Sequence, residues 1–231
     1  MVAAGEADAL LAGATSRTSE VILAAETIIG RRAGVATTSS FFLVETADGR
    51  PFVFADCAVN VEPDAAELAS IGVLAAEGAR ALLDTPPRVA FLSCSTKGSA
   101  EHPRIDRVRE ATTIARRLAP GVAIDGELQA DAAIDGMAAR HKLAAVGPVA
   151  GQANVLIFPD LDAGNIAYKL VRDLGRATAI GVVLQGFRRP VIDVSRGADP
   201  MEIESSLVLL AALCGPQGDG CASVVASSHR G

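Results

Sequence analysis

The sequence predicts an α/β fold, a three-layer α/β/α arrangement on a mostly parallel sheet with one β-hairpin. Three observations carry this expectation. Short apolar runs at 89–93, 154–159 and 178–185 alternate with amphipathic stretches long enough for helices. Two β-rich segments flank Ala47-Asp48-Gly49-Arg50, the pattern of a hairpin turn. Half of the 231 residues are hydrophobic and 21% are charged, a composition that builds a buried core rather than a disordered chain.

Taken in order, residues Ala7 to Ala12 are small and apolar and fit a buried strand or a helix end. Thr18 or Ser19 can cap a helix reaching Ile29, with Gly30 as its stop. The hairpin is expected over 35–46 and 51–55, and Asp64 caps a helix running to Leu83. The strand at 89–93 leads into the polar loop SCSTKGSAEHP and a helix over 105–118. A brief strand at 122–124 precedes a helix over 128–140. The strand at 154–159 leads through the loop DLDAGN to a helix over 166–174. Strands at 178–185 and 190–194 precede a last helix over 202–213. The tail from Gly215 is rich in Gly and Ser and is expected to fray. Ligands of such sheets sit outside the carboxyl ends of strands. Each loop of interest follows a strand, so the loops are expected to converge on one edge.

Composition excludes several classes. Aromatic residues make up 3% with no Trp, and the net charge is −6. A nucleic-acid binder needs stacking platforms and a basic face, and an anionic membrane needs a basic surface, so neither is expected as a partner. The four cysteines, Cys57, Cys94, Cys214 and Cys221, form no CxxC and no zinc spacing with histidine. A reducing cytoplasmic setting is the simplest reading. Glu6 and Asp8 without a basic start argue against a signal peptide, and the apolar run 207–214 is too short to span a bilayer.

The chemistry concentrates in the loops. Ser195, Arg196 and Gly197 lie between a short strand and a helix start. That order puts a hydroxyl, a guanidinium and free backbone N–H groups where an anion can bind. Glu202 falls on the first helical turn, where a carboxylate either suits the dipole or serves as a base. Ser95, Thr96, Lys97, Gly98 and Ser99 can cradle phosphate or simply cap a solvated loop, and no Walker A pattern is present. Arg188 and Arg189 form either an exposed basic turn or a cationic rim. Asp160 and Asp162 read as helix-capping groups or as a metal site, with capping favoured because the spacing misses the calcium-loop pattern. No histidine accompanies Ser195, so a Ser–His hydrolase is not supported, and no GxGxxG marks a dinucleotide site.

Several collinear strings together resemble the phosphate acetyltransferases. They are GEADALLAGA (5–14), FVFADCAVNVEPDAAELA (52–69), VAFLSCSTKGSA (89–100), IDGELQADAAI (124–134), VAGQANVLIFPDLDAGNIAYKLV (149–171) and VLQGFRRPVIDVSRGADPMEI (183–203). The resemblance implies a fold similar to isocitrate and isopropylmalate dehydrogenases and a homodimer with its site in an interdomain cleft. It implies the metal-free conversion of acetyl-CoA and phosphate to acetyl phosphate and CoA. Ser195 and Arg196 would hold the acyl and phosphate groups. Glu202, where the family usually has Asp, would deprotonate the CoA thiol. Ser95 to Ser99, Arg188 and Gly197 would bind substrate. Phosphate butyryltransferase chemistry, or a catalytically impaired domain that binds acetyl-CoA or a partner, are the alternatives. Leu23 stands where the family often has an arginine that meets the CoA phosphates, and Arg17 is the candidate substitute. The resemblance further implies that residues 1–32 and 181–213 are the remnant of a first domain, on the CoA and phosphate side. Residues 33–180 would form a second domain and 214–231 a flexible tail. A reduced first domain would leave apolar faces uncovered, and the mean hydropathy of +0.33 fits that expectation.

Overall fold

The computed structural model describes residues 1–215 and 224–226. The expected tail therefore lies mostly outside the described residues, as does Cys221. The strands are β1 (Ala9–Gly13), β2 (Ser39–Glu45), β3 (Pro51–Ala55), β4 (Arg88–Leu92), β5 (Ala123–Leu128), β6 (Val155–Ile157), β7 (Thr178–Gln185), β8 (Val191–Val194) and β9 (Val224–Ala226). The helices are α1 (Thr18–Ile28), α2 (Ala65–Leu82), α3 (Pro103–Leu118), α4 (Ala130–Ile134), α5 (Gly136–Lys142), α6 (Leu161–Gly175) and α7 (Pro200–Cys214). One mixed sheet runs in the order β5-β4-β6-β3-β2-β7-β8-β1-β9. Its pairs are parallel except β2 with β3, β2 with β7 and β7 with β8. The α/β expectation and the hairpin therefore hold. The domain boundary expected at 180/181 falls inside β7, which pairs with β2 on one side and β8 on the other.

Alternation along the strands assigns the helices to faces. Val183, Ile192, Val194 and Leu11 point to the face that holds α2, α3 and α7, with Leu209 and Leu210 packed among them. Val191, Leu184 and Leu10 point to the other face, where Val21, Ala25 and Ile29 bring in α1. Val182 joins that cluster to the one that buries Phe42, Phe54 and Tyr168 against α6. Tyr168 stacks on Phe42 with ring centroids 4.1 Å apart.

Three element assignments differ from the sequence reading. The brief strand at 122–124 extends to Leu128, because Asp125, Gly126 and Leu128 pair with β4. The single helix over 128–140 divides into α4 and α5 at Asp135, which ends the first and caps the second through its bond from Met137 N at 2.8 Å. DLDAGN is no loop. Asp160 accepts from Ala163 N at 2.9 Å, so α6 already begins at Leu161.

The expectation that the loops share one edge is also corrected. Three antiparallel steps separate β3 from β8, so β8 and β1 run opposite to β3, β4 and β6. The loops after β4 and after β8 leave from opposite strand ends, five strand spacings apart, or roughly 24 Å along the sheet.

Close packing of α6 on the β3 end rests on Gly164. A Cβ there would overlap the carbonyl oxygen of Asp56 and stand 3.2 Å from the Cys57 sulfur. Gly164→Ala should destabilise the fold by about 1–3 kcal/mol through overpacking. The shift in urea midpoint at constant slope is the measurement, and an unchanged midpoint would contradict this packing.

Candidate functional site

β1 and β8 are adjacent and parallel, with Gly13 opposite Val194. The chain leaving β1 turns to one face as α1, and the chain leaving β8 turns to the other face as α7. Neighbouring parallel strands whose helices diverge in this way open a crevice beyond their carboxyl ends. Its two walls are the loops Ala14-Thr15-Ser16-Arg17 and Ser195-Arg196-Gly197-Ala198-Asp199.

Local chemistry shapes each wall. Ala14 N donates to Val194 O at 3.0 Å, which fixes the first loop beside the second. Ala198 N donates to Ser195 O at 3.1 Å and closes the Ser195 turn. Asp199 caps α7 by accepting from Glu202 N at 2.8 Å, with Pro200 in the first helical position, where its missing N–H costs nothing. The N-termini of α1 and α7 thus flank the crevice with their partial positive charge. Ser195, Arg196, Gly197 and Arg17 are exposed. Among the described residues, neither guanidinium makes an ion pair or hydrogen bond.

Glu202 is half-buried on the first turn of α7. The first-turn glutamates of α1 and α2 reach back to their caps, Glu20 to Arg17 N at 2.9 Å and Glu67 to Asp64 N at 3.0 Å. Glu202 makes no such return bond, which leaves its carboxylate available. Its charge is felt on α6. The Tyr168 phenol is raised mainly by burial, and Glu202 adds to the rise. The Arg172 guanidinium is raised mainly by its bond to Asp173, with Glu202 again contributing.

The sequence reading offered Arg17 only as a stand-in for the family's arginine and did not pair its loop with that of Ser195. The available signal was a repeated dipeptide: Ser16-Arg17 and Ser195-Arg196 each stand between a strand and a helix start.

The other sequence-derived residues lie elsewhere. No hydrogen bond or ion pair among the described residues joins the loop after β4 to the crevice. That loop is organised around Glu127, whose side chain is 3% exposed. Its Oε1 accepts from Ser95 Oγ at 2.8 Å, Gly98 N at 2.8 Å and Arg109 Nη2 at 3.1 Å. Thr96 Oγ1 donates to Gln129 Oε1 at 3.1 Å, and Ser99 Oγ accepts from Thr96 N at 2.9 Å. Lys97 Nζ lies 2.5 Å from Asp125 Oδ1 and 2.7 Å from Gly126 O. The donors of Ser95, Gly98 and Lys97 are therefore engaged by the chain's own acceptors. Arg188 packs on Gly30 and donates to Arg31 O at 3.4 Å. With Arg32, Arg189 and Gln185 it borders a cavity of about 270 Å³. Asp160 caps α6 and pairs with Arg104 at 2.5 Å, so the capping reading of DLDAGN stands. Among the described residues no cluster of three His, Cys, Asp or Glu side chains could hold a metal ion.

Burial alone would raise the Glu127 carboxyl, but Arg109, Gly98 N–H and Ser95 outweigh it and hold the group at about 2. A depressed folded pKa contributes stability that is complete above the ordinary carboxyl range near 4.5 and lost as pH falls toward 2. Glu127→Gln should therefore be less stable at neutral pH and should lose part of the decline in stability between pH 4.5 and 2. Urea unfolding across that range tests it, and parallel acid limbs in both proteins would contradict the assignment.

Residues 1–212 match the sequence profile of the phosphate acetyl/butaryl transferase family. A phosphate acetyltransferase of Thermoanaerobacterium thermosaccharolyticum is 52% identical over 208 residues, 88% of this chain and 63% of that protein. A solved phosphotransacetylase from Streptococcus pyogenes is 45% identical with a TM-score of 0.87, covering 92% of this chain and 64% of the other. The chain thus spans a little under two thirds of these relatives. A 4-hydroxythreonine-4-phosphate dehydrogenase from Klebsiella pneumoniae is 14% identical with a TM-score of 0.55, covering 92% of this chain and 66% of that one, a likeness of fold alone. The dehydrogenase-like architecture expected from the sequence is thereby found, and with a matched span of 212 residues the chain belongs to the phosphate acetyl/butaryl transferase family.

Proposed function

We propose that this chain takes part in acyl transfer between coenzyme A and inorganic phosphate, with the β1–β8 crevice as its reaction site. The observation that supports the reading most is the pair of unengaged guanidiniums, Arg17 and Arg196, set with Ser195 between two helix N-termini. Acyl phosphate, phosphate and CoA are all anions, and preorganised unpaired donors stabilise them and the charge that develops on the carbonyl oxygen.

In the direction of acetyl-CoA synthesis, Glu202 takes the proton of the CoA thiol. The sulfur attacks the acyl carbon, the C–O bond to phosphate breaks, and its electron pair leaves with the phosphate. Arg196 and Ser195 hold the acyl and phosphate oxygens, and the Gly197 peptide borders them. A thiol of pKa about 8.5 needs only a modest base. The unengaged carboxylate of Glu202 suits that task, although it is one methylene longer than the aspartate implied by the resemblance. The reverse steps form acetyl phosphate, and no metal or bound cofactor enters either direction.

Ser95 to Ser99 and Arg188 leave from the opposite strand ends, so their proposed substrate contacts lie outside this crevice. For Ser95, Gly98 and Lys97 these contacts need part of the internal bonding at Glu127 and Asp125 to open. A homodimer, with residues 1–32 and 181–213 forming the CoA and phosphate side and 33–180 a second domain, completes the proposal. Free Cys57, Cys94 and Cys214 support a reducing cytoplasmic setting. No described helix is long and apolar enough to cross a membrane.

The test is phosphate-dependent formation of acyl phosphate and free CoA from acetyl-CoA and butyryl-CoA, together with the reverse, CoA-dependent reaction of the acyl phosphates. Arg196→Ala should lower kcat by about 100-fold, the usual effect of removing one oxyanion donor. Glu202→Gln should lower kcat with KM for CoA little changed. Turnover unaffected by Arg196→Ala would refute the site. Saturable acetyl-CoA binding without turnover would identify a binding domain instead, and a preference for butyryl-CoA would move the activity to the longer acyl chain.

A further inference from the structure

Asp193 lies on β8, two residues before Ser195, and is 3% exposed. Its Oδ2 accepts from the Thr18 hydroxyl at 2.5 Å. Its Oδ1 has no hydrogen-bond partner. That oxygen instead rests against Gly13, where a Cβ would stand 2.6 Å away. A single side chain therefore touches the end of β8, the end of β1 and the first residue of α1. Those elements carry both walls of the crevice, because loop 14–17 is strung between Gly13 and Thr18.

Packing does not explain a carboxyl here. The core cluster on this face is apolar, with Val191, Leu184 and Val21 among its members. Burying a carboxyl with one oxygen unmatched opposes folding. Burial also raises the group above the ordinary aspartate range, with the Thr18 hydroxyl opposing the rise.

We propose that Asp193 is a positioning residue that locks loop 14–17 against the Ser195–Ala198 turn, so that Ser16-Arg17 and Ser195-Arg196 face one ligand in fixed geometry. The proposal rests on the reading of the crevice as the reaction site. The lock itself consists of the Thr18 bond and the contact with Gly13, and both are measurable without turnover.

The variants are Thr18→Val, Asp193→Leu, their double, and Asp193→Asn, which retains an oxygen for the Thr18 hydroxyl. The measurements are hydrogen exchange of the amides of 14–17 and 194–198 in the ligand-free protein, and acyl-transfer kcat and KM. Thr18→Val and Asp193→Leu should each speed exchange in both loops by about tenfold, the scale of one hydrogen bond to a charged acceptor. The double should exchange no faster than the single variants, and Asp193→Asn should stay close to wild type. In the active protein kcat should fall along with exchange protection. Unchanged exchange in Thr18→Val, or single effects that add in the double, overturns the lock. If Asp193→Leu fails to fold, exchange in Thr18→Val still decides between a lock and no lock. A wild-type chain without turnover would refute the transfer reading alone, and the exchange data would still decide the role of Asp193.

Discussion

The site depends on the pairing of β1 with β8. It joins residues 10–13 to residues 191–194, so almost the whole chain lies between the two strands. Gly13 permits the close approach. With φ at +104° and no room for a Cβ beside Asp193, it lets the end of β1 lie flush against β8. The hydrogen bond from Ala14 N to Val194 O then sets two loops side by side. The juxtaposition of two helix N-termini and two Ser-Arg pairs follows from this junction.

The two polar loops of the sheet show opposite solutions to the same local chemistry. After β4, hydroxyl, lysine and backbone donors surround a carboxylate of the chain itself, and Glu127 with Arg109 makes a closed, satisfied unit. After β8, a hydroxyl and a guanidinium remain unengaged. Satisfied buried networks rigidify a structure, whereas unpaired donors held by a rigid frame are what a ligand can use. Acidic overall composition does not prevent this. The field at the crevice is set by charges within a Debye length, about 10 Å at 0.1 M salt, and by the two helix ends, rather than by the sum over the surface.

Much of this was legible in the sequence. The alternation of apolar runs with amphipathic stretches identified the α/β class, because buried strands and one-sided helices leave different periodicities. The strand, hydroxyl, arginine and glycine order at 191–197 marked a candidate anion site, because its chemistry is local to those residues. What stayed hidden was long-range. Nothing near residue 95 reveals that Glu127 consumes its donors, or that three antiparallel steps turn β8 against β4. DLDAGN read as a loop because Asp, Gly and Asn favour turns, yet Gly164 is kept by its contact with Asp56, more than a hundred residues earlier. The resemblance to known acyltransferases supplied the role proposed for the SRG turn, where pattern alone stopped at a candidate anion site.

Glu202 shows how a local rule can separate a structural carboxylate from an available one. First-turn glutamates are common because the helix N-terminus is electropositive, so presence at that position carries little information. The return bond does carry it. Glu20 and Glu67 accept from the backbone N–H of their cap residues, and each is accounted for by helix capping. On α7 the Asp199 side chain accepts from the Glu202 N–H, but the Glu202 carboxylate does not complete the exchange. Its charge instead reaches Tyr168 and Arg172 on α6. A carboxylate left out of its own capping box and half-buried at the start of a helix is therefore not accounted for by capping alone.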